Sequence, residues 1–240
     1  MFQRVERYKA QIDALCPFEG GMLKQIKNYY RIGLTYSSNA LEGNSLTETE
    51  TKILLEDGLT VGGKPIRDYY EATGHASAFE YIYQVAQCEP IGEEHIKTIH
   101  RLFYTQIDVE KAGVYRQERV IITGSLYPAP NPSKLPKLMS QFAAWLAQNE
   151  DKLNPVEFAA RAHKEFIFIH PFVDGNGRVA RLLMNLCLIR NGYTIAIIPP
   201  VLRGEYITLL EKAHKNERSF VEFIADRVAE TQKDLLRLLK

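Results

Sequence analysis

The sequence predicts an all-α domain carrying one small β-hairpin flap. Three observations lead there. Apolar residues recur at helical spacing along most of the chain, as Leu23, Ile26, Tyr30 and Leu34 do. One stretch alone, GVYRQERVIITGSLYPAPNPSKLP at 113–136, sets β-branched residues side by side and punctuates them densely with Gly and Pro. The chain has 240 residues, 45% hydrophobic and 25% charged, which is enough to bury a core and argues against disorder.

The elements follow in order. Residues 3–15 read as an amphipathic helix, broken by CPFEGG, and 22–36 as a second. SSNALEGN (37–44) reads as a helix end, with Ser37 or Ser38 capping locally and Gly43 stopping the helix in left-handed geometry. Thr47 and Glu50 make a capping-box pattern for a helix over 47–55. GLTVGGKP is a turn, and helices follow at 66–87 and 92–105. The hairpin flap spans about 119–130, with Val120 to Thr123 as its strand. Helices resume at 135–149, 154–169, 177–191, 203–215 and 218–239. The chain divides into N-terminal helices (1–60), a core (61–215) and a C-terminal helix packing on the core (216–240).

Several function classes are disfavoured. A net charge of +1 offers no basic field for nucleic acid. Cys16, Cys88 and Cys187 are scattered without CxxC spacing, so neither a disulfide framework nor a zinc site is indicated. The N-terminus lacks a signal-peptide apolar region, and no apolar run reaches the ~18–20 residues that span a membrane. A soluble cytoplasmic protein is the expectation.

The chemistry is concentrated in IHPFVDGNGRVARLLMNL, residues 169–186. A helix should stop at His170, because a residue before proline is pushed away from α geometry. DGNG is a tight turn, and a new helix starts near Gly177 with Leu182, Leu183 and Leu186 on its buried face. A glycine-rich loop feeding a helix N-terminus aims backbone N–H groups at an anion. Arg178 and Arg181, three apart, suit several phosphate oxygens. Asp174 makes sense as a ligand for Mg²⁺, which binds through one or two carboxylates plus substrate phosphates. His170 is the natural proton acceptor. His163, seven residues upstream of His170 on the same helical face, reads as packing or helix-end structure.

HPFVDGNGRVAR resembles the HxFx[D/E]GNGRxxR signature of the Fic (Fido) family at every signature position. NPVEFAARAHKEFIFIH upstream, and EYITLLEKAH and ERSFVEFI downstream, resemble the helices that flank it there. The resemblance implies a Fic-type helical bundle around a helix–loop–helix site, and a protein adenylyltransferase that moves AMP from ATP to a Ser, Thr or Tyr hydroxyl. It implies His170 as general base, Asp174 holding Mg²⁺ or Mn²⁺, Gly175, Asn176 and Gly177 as the anion hole assisted by Arg178, and Arg181 on the γ-phosphate. Thr123, Gly124, Ser125 and Leu126 of the flap become candidate nucleotide contacts and a docking edge for the target. Tyr206, Ile207 and His214 fall at the adenine pocket, where Ile207 and His214 depart from the family's usual residues. Doc-like relatives that transfer phosphoryl groups have lysine where this chain has Gly177.

Ser38-x-x-x-Glu42-Gly43 then resembles the family's inhibitory motif, [S/T]xxxE[G/N], whose glutamate pairs with the second signature arginine. That implies autoinhibition in cis through Glu42 and Arg181, and the bifunctional relatives imply a second duty for Glu42, orienting a water for removal of AMP. The partner is a protein hydroxyl, this chain's own included, and amphipathic helices leave a homodimer open. The alternatives are another donor (UMP, phosphocholine or phosphoryl transfer) and a non-catalytic ATP-binding regulator.

Overall fold

The computed structural model describes residues 1–87, 90–122 and 124–239. The described residues form ten α-helices: α1 (Gln3–Asp13), α2 (Gly20–Ala40), α3 (Glu48–Asp57), α4 (Ile66–Val85), α5 (Glu93–Tyr104), α6 (Leu135–Asn149), α7 (Pro155–Ile169), α8 (Asn176–Arg190), α9 (Arg203–Lys212) and α10 (Arg218–Leu238). Short 3-10 turns at Pro132–Lys134 and Pro200–Leu202 lead into α6 and α9. No helix among the described residues is long and apolar enough to cross a membrane.

α8 is the axis of the bundle. Every residue from Arg178 to Leu188 is buried, because α7, α4, α5 and α2 all pack around it. The expected single buried face of Leu182, Leu183 and Leu186 is therefore too narrow: a helix enclosed on all sides is buried all round. As a result Arg178 and Arg181 point into protein rather than solvent. α10 covers α7, α1 packs outside α10, and α9 lies against α10. Asn185 of α8 binds both backbone groups of Ala196, accepting from its N–H at 2.7 Å and donating to its carbonyl at 3.2 Å, which fixes the segment before α9.

The helical reading holds, and two details change. α2 runs four residues past the expected end and takes Ser37, Ser38 and Asn39 into the helix, where all three are buried. Tertiary contacts override the preference of Ser and Asn for caps. Thr47 and Glu50 do form the reciprocal capping box.

The second change is the flap, which forms no strand among the described residues. Its returning arm carries Pro128, Pro130 and Pro132, which lack the N–H a ladder needs. A turn bond, Ser125 N–H to Ile122 O at 3.1 Å, lies at the tip. Ile121 is 94% exposed, so no neighbouring surface orders a strand there. Of the residues singled out from the sequence, Thr123 and Cys88 lie outside the described residues. Cys16 is an exposed thiol and Cys187 a buried one.

Three histidines, His75, His100 and His163, are fully buried in this frame, and two of them pair with a hydroxyl. His75 Nδ1 pairs with Thr35 Oγ1 at 3.1 Å, and His163 Nε2 with Tyr206 Oη at 2.8 Å. Burial, reinforced by nearby arginine charge, pushes both imidazoles down to about 3. An unfolded histidine titrates near ~6.5. Between those values the unfolded chain binds more protons than the folded one, so stability is lost as pH falls through that window. Urea unfolding is expected to show a lower free energy at pH 5 than at pH 7, by on the order of 2 kcal/mol per histidine. His163→Gln should flatten its share of that fall; an unchanged slope would show that His163 does not carry it.

Candidate active site

The loop between α7 and α8 is built from buried hydrogen bonds. α7 stops at Ile169, as the proline rule requires, but His170 is not extended. It adopts φ 49° and ψ 59°, left-handed geometry, and its N–H donates to Phe166 O at 3.0 Å. This is a left-handed helix cap on a residue with a Cβ, a conformation costing roughly 1–2 kcal/mol. The surroundings impose it. Buried Arg116 donates from Nε to His170 O at 2.9 Å, and from its two Nη atoms to Glu118 O at 2.9 Å and Pro130 O at 2.7 Å. Arg116 thus knots the base of the flap to the residue before Pro171.

Asn176 closes the loop with its side chain. Its Oδ1 accepts from Phe172 N–H and its Nδ2 donates to Phe172 O, both at 2.9 Å. Asn176 therefore shapes the turn, and its contribution to an anion site is through the backbone. Gly113 N–H donates to His100 Nδ1 at 2.8 Å, which leaves His100 Nε2 to donate to Asp174 O at 3.2 Å. The His100 ring stacks on Phe172 with centroids 3.8 Å apart. Burial pushes His100 down to about 4, so it keeps this neutral arrangement at neutral pH. Gly175 sits at φ 76°, and a Cβ there would lie 2.8 Å from Phe103 Cε1.

Arg181 is 2% exposed. Its Nε donates to Ser38 Oγ at 2.9 Å, and its Nη2 to Ser38 O at 2.8 Å and to Glu42 Oε1 at 2.7 Å. Ser38 is in the last turn of α2, where carbonyls lack helical partners and the helix dipole is negative. Glu42 follows in the turn Leu41–Gly43, with Gly43 at φ 92°. Its carboxylate rests against Gly177: a Cβ on Gly177 would collide with Glu42 Oε1. Burial opposes the charge on Glu42, but the Arg181 guanidinium outweighs it and holds the carboxyl below the usual glutamate range. One carboxylate therefore meets both Arg181 and the first turn of α8.

Asp174 is the second charged centre. Its Oδ1 accepts from Gly175 N–H at 2.6 Å and from Arg178 Nη2 at 3.3 Å, and its Oδ2 accepts from Arg67 at 2.5 Å. Arg178 is buried, lies over the Phe103 ring at 4.5 Å and pairs with Glu71 at 3.0 Å. Among the described residues no group of three or more His, Cys, Asp or Glu gathers to hold a metal.

These groups open on a cavity of about 400 Å³. Glu42, His170, Asp174, Gly175, Asn176, Gly177, Arg178 and Arg181 line it, together with Gly124, Ser125, Tyr206, Ile207 and His214. Leu126 points away, 89% exposed, but its N–H donates to Glu211 Oε1 at 2.7 Å while Ser125 Oγ donates to Glu211 Oε2 at 2.9 Å. Glu211 thereby clasps the flap to α9. Tyr206 is buried behind Arg181, with its hydroxyl shared between Arg181 Nη1 and His163. His214 is sandwiched between Phe168 at 3.5 Å and Tyr127 at 3.7 Å, so it meets the cavity with its ring edge. Burial holds its imidazole below the ordinary value.

A model of the Fic/DOC family matches residues 90–188. The crystal structure of a Fic-domain-containing signaling protein from Bacteroides thetaiotaomicron is similar to this chain at TM-score 0.89 and 31% identity, covering 96% of this chain and 95% of that one. The chain belongs to the Fic/DOC family. Protein adenylyltransferase Fic of Drosophila melanogaster is 36% identical to this Fic/DOC chain over 234 residues. That alignment covers 95% of the chain but 47% of the relative, so the chain spans about half the length of the curated relatives it matches. Fic-1 of C. elegans shares the fold at TM-score 0.88 and 27% identity, over 99% of this chain and 72% of that one. The family match contains the loop and both arginines of this Fic/DOC chain, but neither Glu42 nor α9.

Sequence reasoning missed Arg67, Glu71, His100, Arg116 and Glu211. Glu211 had a signal: Ile207, Glu211 and His214 recur at i, i+4 and i+7 along the sequence, the first two on α9 and His214 in the turn just after it. Arg67 and Glu71 look like an ordinary surface pair at i, i+4, and nothing local marks them or Arg116. Gly175→Ala places a Cβ both in left-handed geometry and against Phe103. It is expected to lower the free energy of urea unfolding by about 2 kcal/mol or more. A neutral substitution would show that the loop relaxes around the added carbon.

Proposed function

We propose that the chain transfers AMP from ATP to a Ser, Thr or Tyr hydroxyl of a protein, its own chain included, and that Glu42 restrains it in cis. The observation that carries the reading is the convergence of His170, Asp174, the α8 N-terminus and Arg181 on one cavity of nucleotide size. The protein adenylyltransferase relatives support the same reaction.

The hydroxyl oxygen attacks the α-phosphorus, and the bond from that phosphorus to the β-phosphate's bridging oxygen breaks. Pyrophosphate leaves, and the hydroxyl proton passes to His170. Burial pushes the His170 imidazole down to about 4, so it is neutral and ready to accept a proton at pH 7. The negative charge of a bound polyphosphate raises its basicity toward the working pH. Backbone N–H groups at the start of α8 take the α and β phosphates, and Arg181 takes the γ-phosphate. Arg178, held by Glu71, positions Asp174.

Mg²⁺ or Mn²⁺ fits this donor set. Asp174 is a single carboxylate, 40% exposed at its side chain and lining the cavity. Mg²⁺ is commonly held by one or two carboxylates with substrate phosphates completing its shell. Bound there, the ion would neutralise phosphate charge and so favour the departure of pyrophosphate.

The restraint follows from charge and space. The Glu42 carboxylate occupies Arg181 and sits on the turn of α8 that would receive phosphate. ATP then binds with its γ-phosphate displaced and its α-phosphorus out of line with the hydroxyl. A misplacement of ~1 Å can cost ~10²-fold in rate. In the same reading Glu42 orients a water that attacks the phosphorus of AMP-modified protein, breaking its bond to the protein oxygen so that AMP is released and the hydroxyl restored.

Glu42→Gly is expected to raise auto-AMPylation by about 10²-fold and to slow release of AMP from modified protein. Equal labelling of the two proteins would sink the restraint, and equal release would sink the removal. His170→Ala should reduce transfer by at least about 10²-fold while ATP affinity, measured by calorimetry, stays within about two-fold. Retained transfer would take His170 out of the base role.

A further inference from the structure

Arg67 is the second residue of α4, and its side chain is 52% exposed. Its Nη2 lies 2.5 Å from Asp174 Oδ2, and its Nε lies 3.0 Å from Glu71 Oε1. Glu71 is buried and also holds Arg178 Nη1 at 3.0 Å and Asn44 Nδ2 at 3.0 Å. The two oxygens of Asp174 thus have different surroundings. Oδ1 is turned into the loop by Gly175 N–H and Arg178. Oδ2 is left for a cation, and Arg67 is on it.

We propose that Arg67 is a built-in competitor for the divalent cation on Asp174: its guanidinium takes the carboxylate oxygen that the metal uses, and the metal–nucleotide complex displaces it. The inference rests on the metal site of the adenylyltransferase reading. Arg67 is the member of the network that is free to move. Arg178 is 4% exposed at its side chain and lies over Phe103, whereas Arg67 is half in solvent on a long side chain. An exposed ion pair is worth little, so a divalent ion with its phosphates wins the contest. Glu71 keeps its hold on Arg67 Nε after displacement, and the guanidinium stays near the cavity. The same Glu71 ties Asn44, two residues beyond Glu42, to the network that sets Asp174. The competitor and the Glu42 restraint therefore share one buried carboxylate.

The test is calorimetric binding of ATP in Mn²⁺ and in EDTA to the wild type, Arg67→Gln and Asp174→Asn. Arg67→Gln should bind ATP about two- to five-fold more tightly than wild type in Mn²⁺, and no more tightly in EDTA. An arginine that merely attracts the polyanion predicts the opposite sign, weaker binding in both. Arg67→Lys keeps the charge without the two-pronged reach to Asp174 and Glu71. It should fall between the other two, and it serves as the same test should Arg67→Gln fail to fold. Equal or weaker Mn²⁺-dependent binding in the Arg67 variants, with Asp174→Asn losing the gain from Mn²⁺, overturns the competitor and leaves the metal site standing. If Asp174→Asn keeps the gain from Mn²⁺, the metal is not on Asp174 and both readings fall.

Discussion

Arg181 carries a permanent charge at a position that is 2% exposed, and the surrounding structure is arranged to keep that charge solvated by protein. A buried guanidinium without partners is among the costliest groups a fold can hold. Three kinds of partner meet it here: the Ser38 hydroxyl and carbonyl at the end of α2, the Tyr206 hydroxyl from α9, and the Glu42 carboxylate. Two of these come from one short stretch. This explains why α2 continues through Ser37 and Ser38 where local preference would end it. The negative C-terminal end of α2 favours the Arg181 charge, and the Glu42 carboxylate offsets the like-signed N-terminal end of α8 beside it.

That arrangement makes Glu42 exchangeable. The other Arg181 partners are buried groups fixed by their helices, whereas the Glu42 side chain is 34% exposed and opens on the cavity. An anionic ligand that offers oxygen acceptors to Arg181 and to the α8 amides can take its place without leaving the guanidinium unpaired. Arg181 needs an anionic partner there, and the chain supplies one in the Glu42 carboxylate.

Rigidity around the loop comes from a different device. Asn176 and Asn185 each bind both backbone groups of one other residue, Phe172 within the loop and Ala196 beyond α8. His100 spans from Gly113 to Asp174, and Arg116 joins the flap to His170. Each is a buried polar group with its partners in place, the condition under which such groups stiffen a structure. They hold His170 in left-handed geometry and Asp174 at the rim, so the candidate base and candidate metal ligand do not depend on loop flexibility.

The sequence by itself determined the helical class, most element positions, the capping box at Thr47 and the loop residues from His170 to Arg181. These are local properties: periodicity, turn chemistry and a signature confined to a dozen residues. It also named Glu42, although only through resemblance, since a glutamate before a glycine has no local mark of its contact with Arg181. The tertiary structure alone decided the rest. It turned the expected hairpin into an irregular clasp on Glu211, because prolines deny the returning arm its ladder and no surface supports a strand. It buried α8 on every side, it placed Arg67 on Asp174 across 107 residues, and it brought Glu42 to Arg181 across 139. Contacts between residues that far apart are set by how helices pack around a shared axis, and no local pattern of residues encodes that distance.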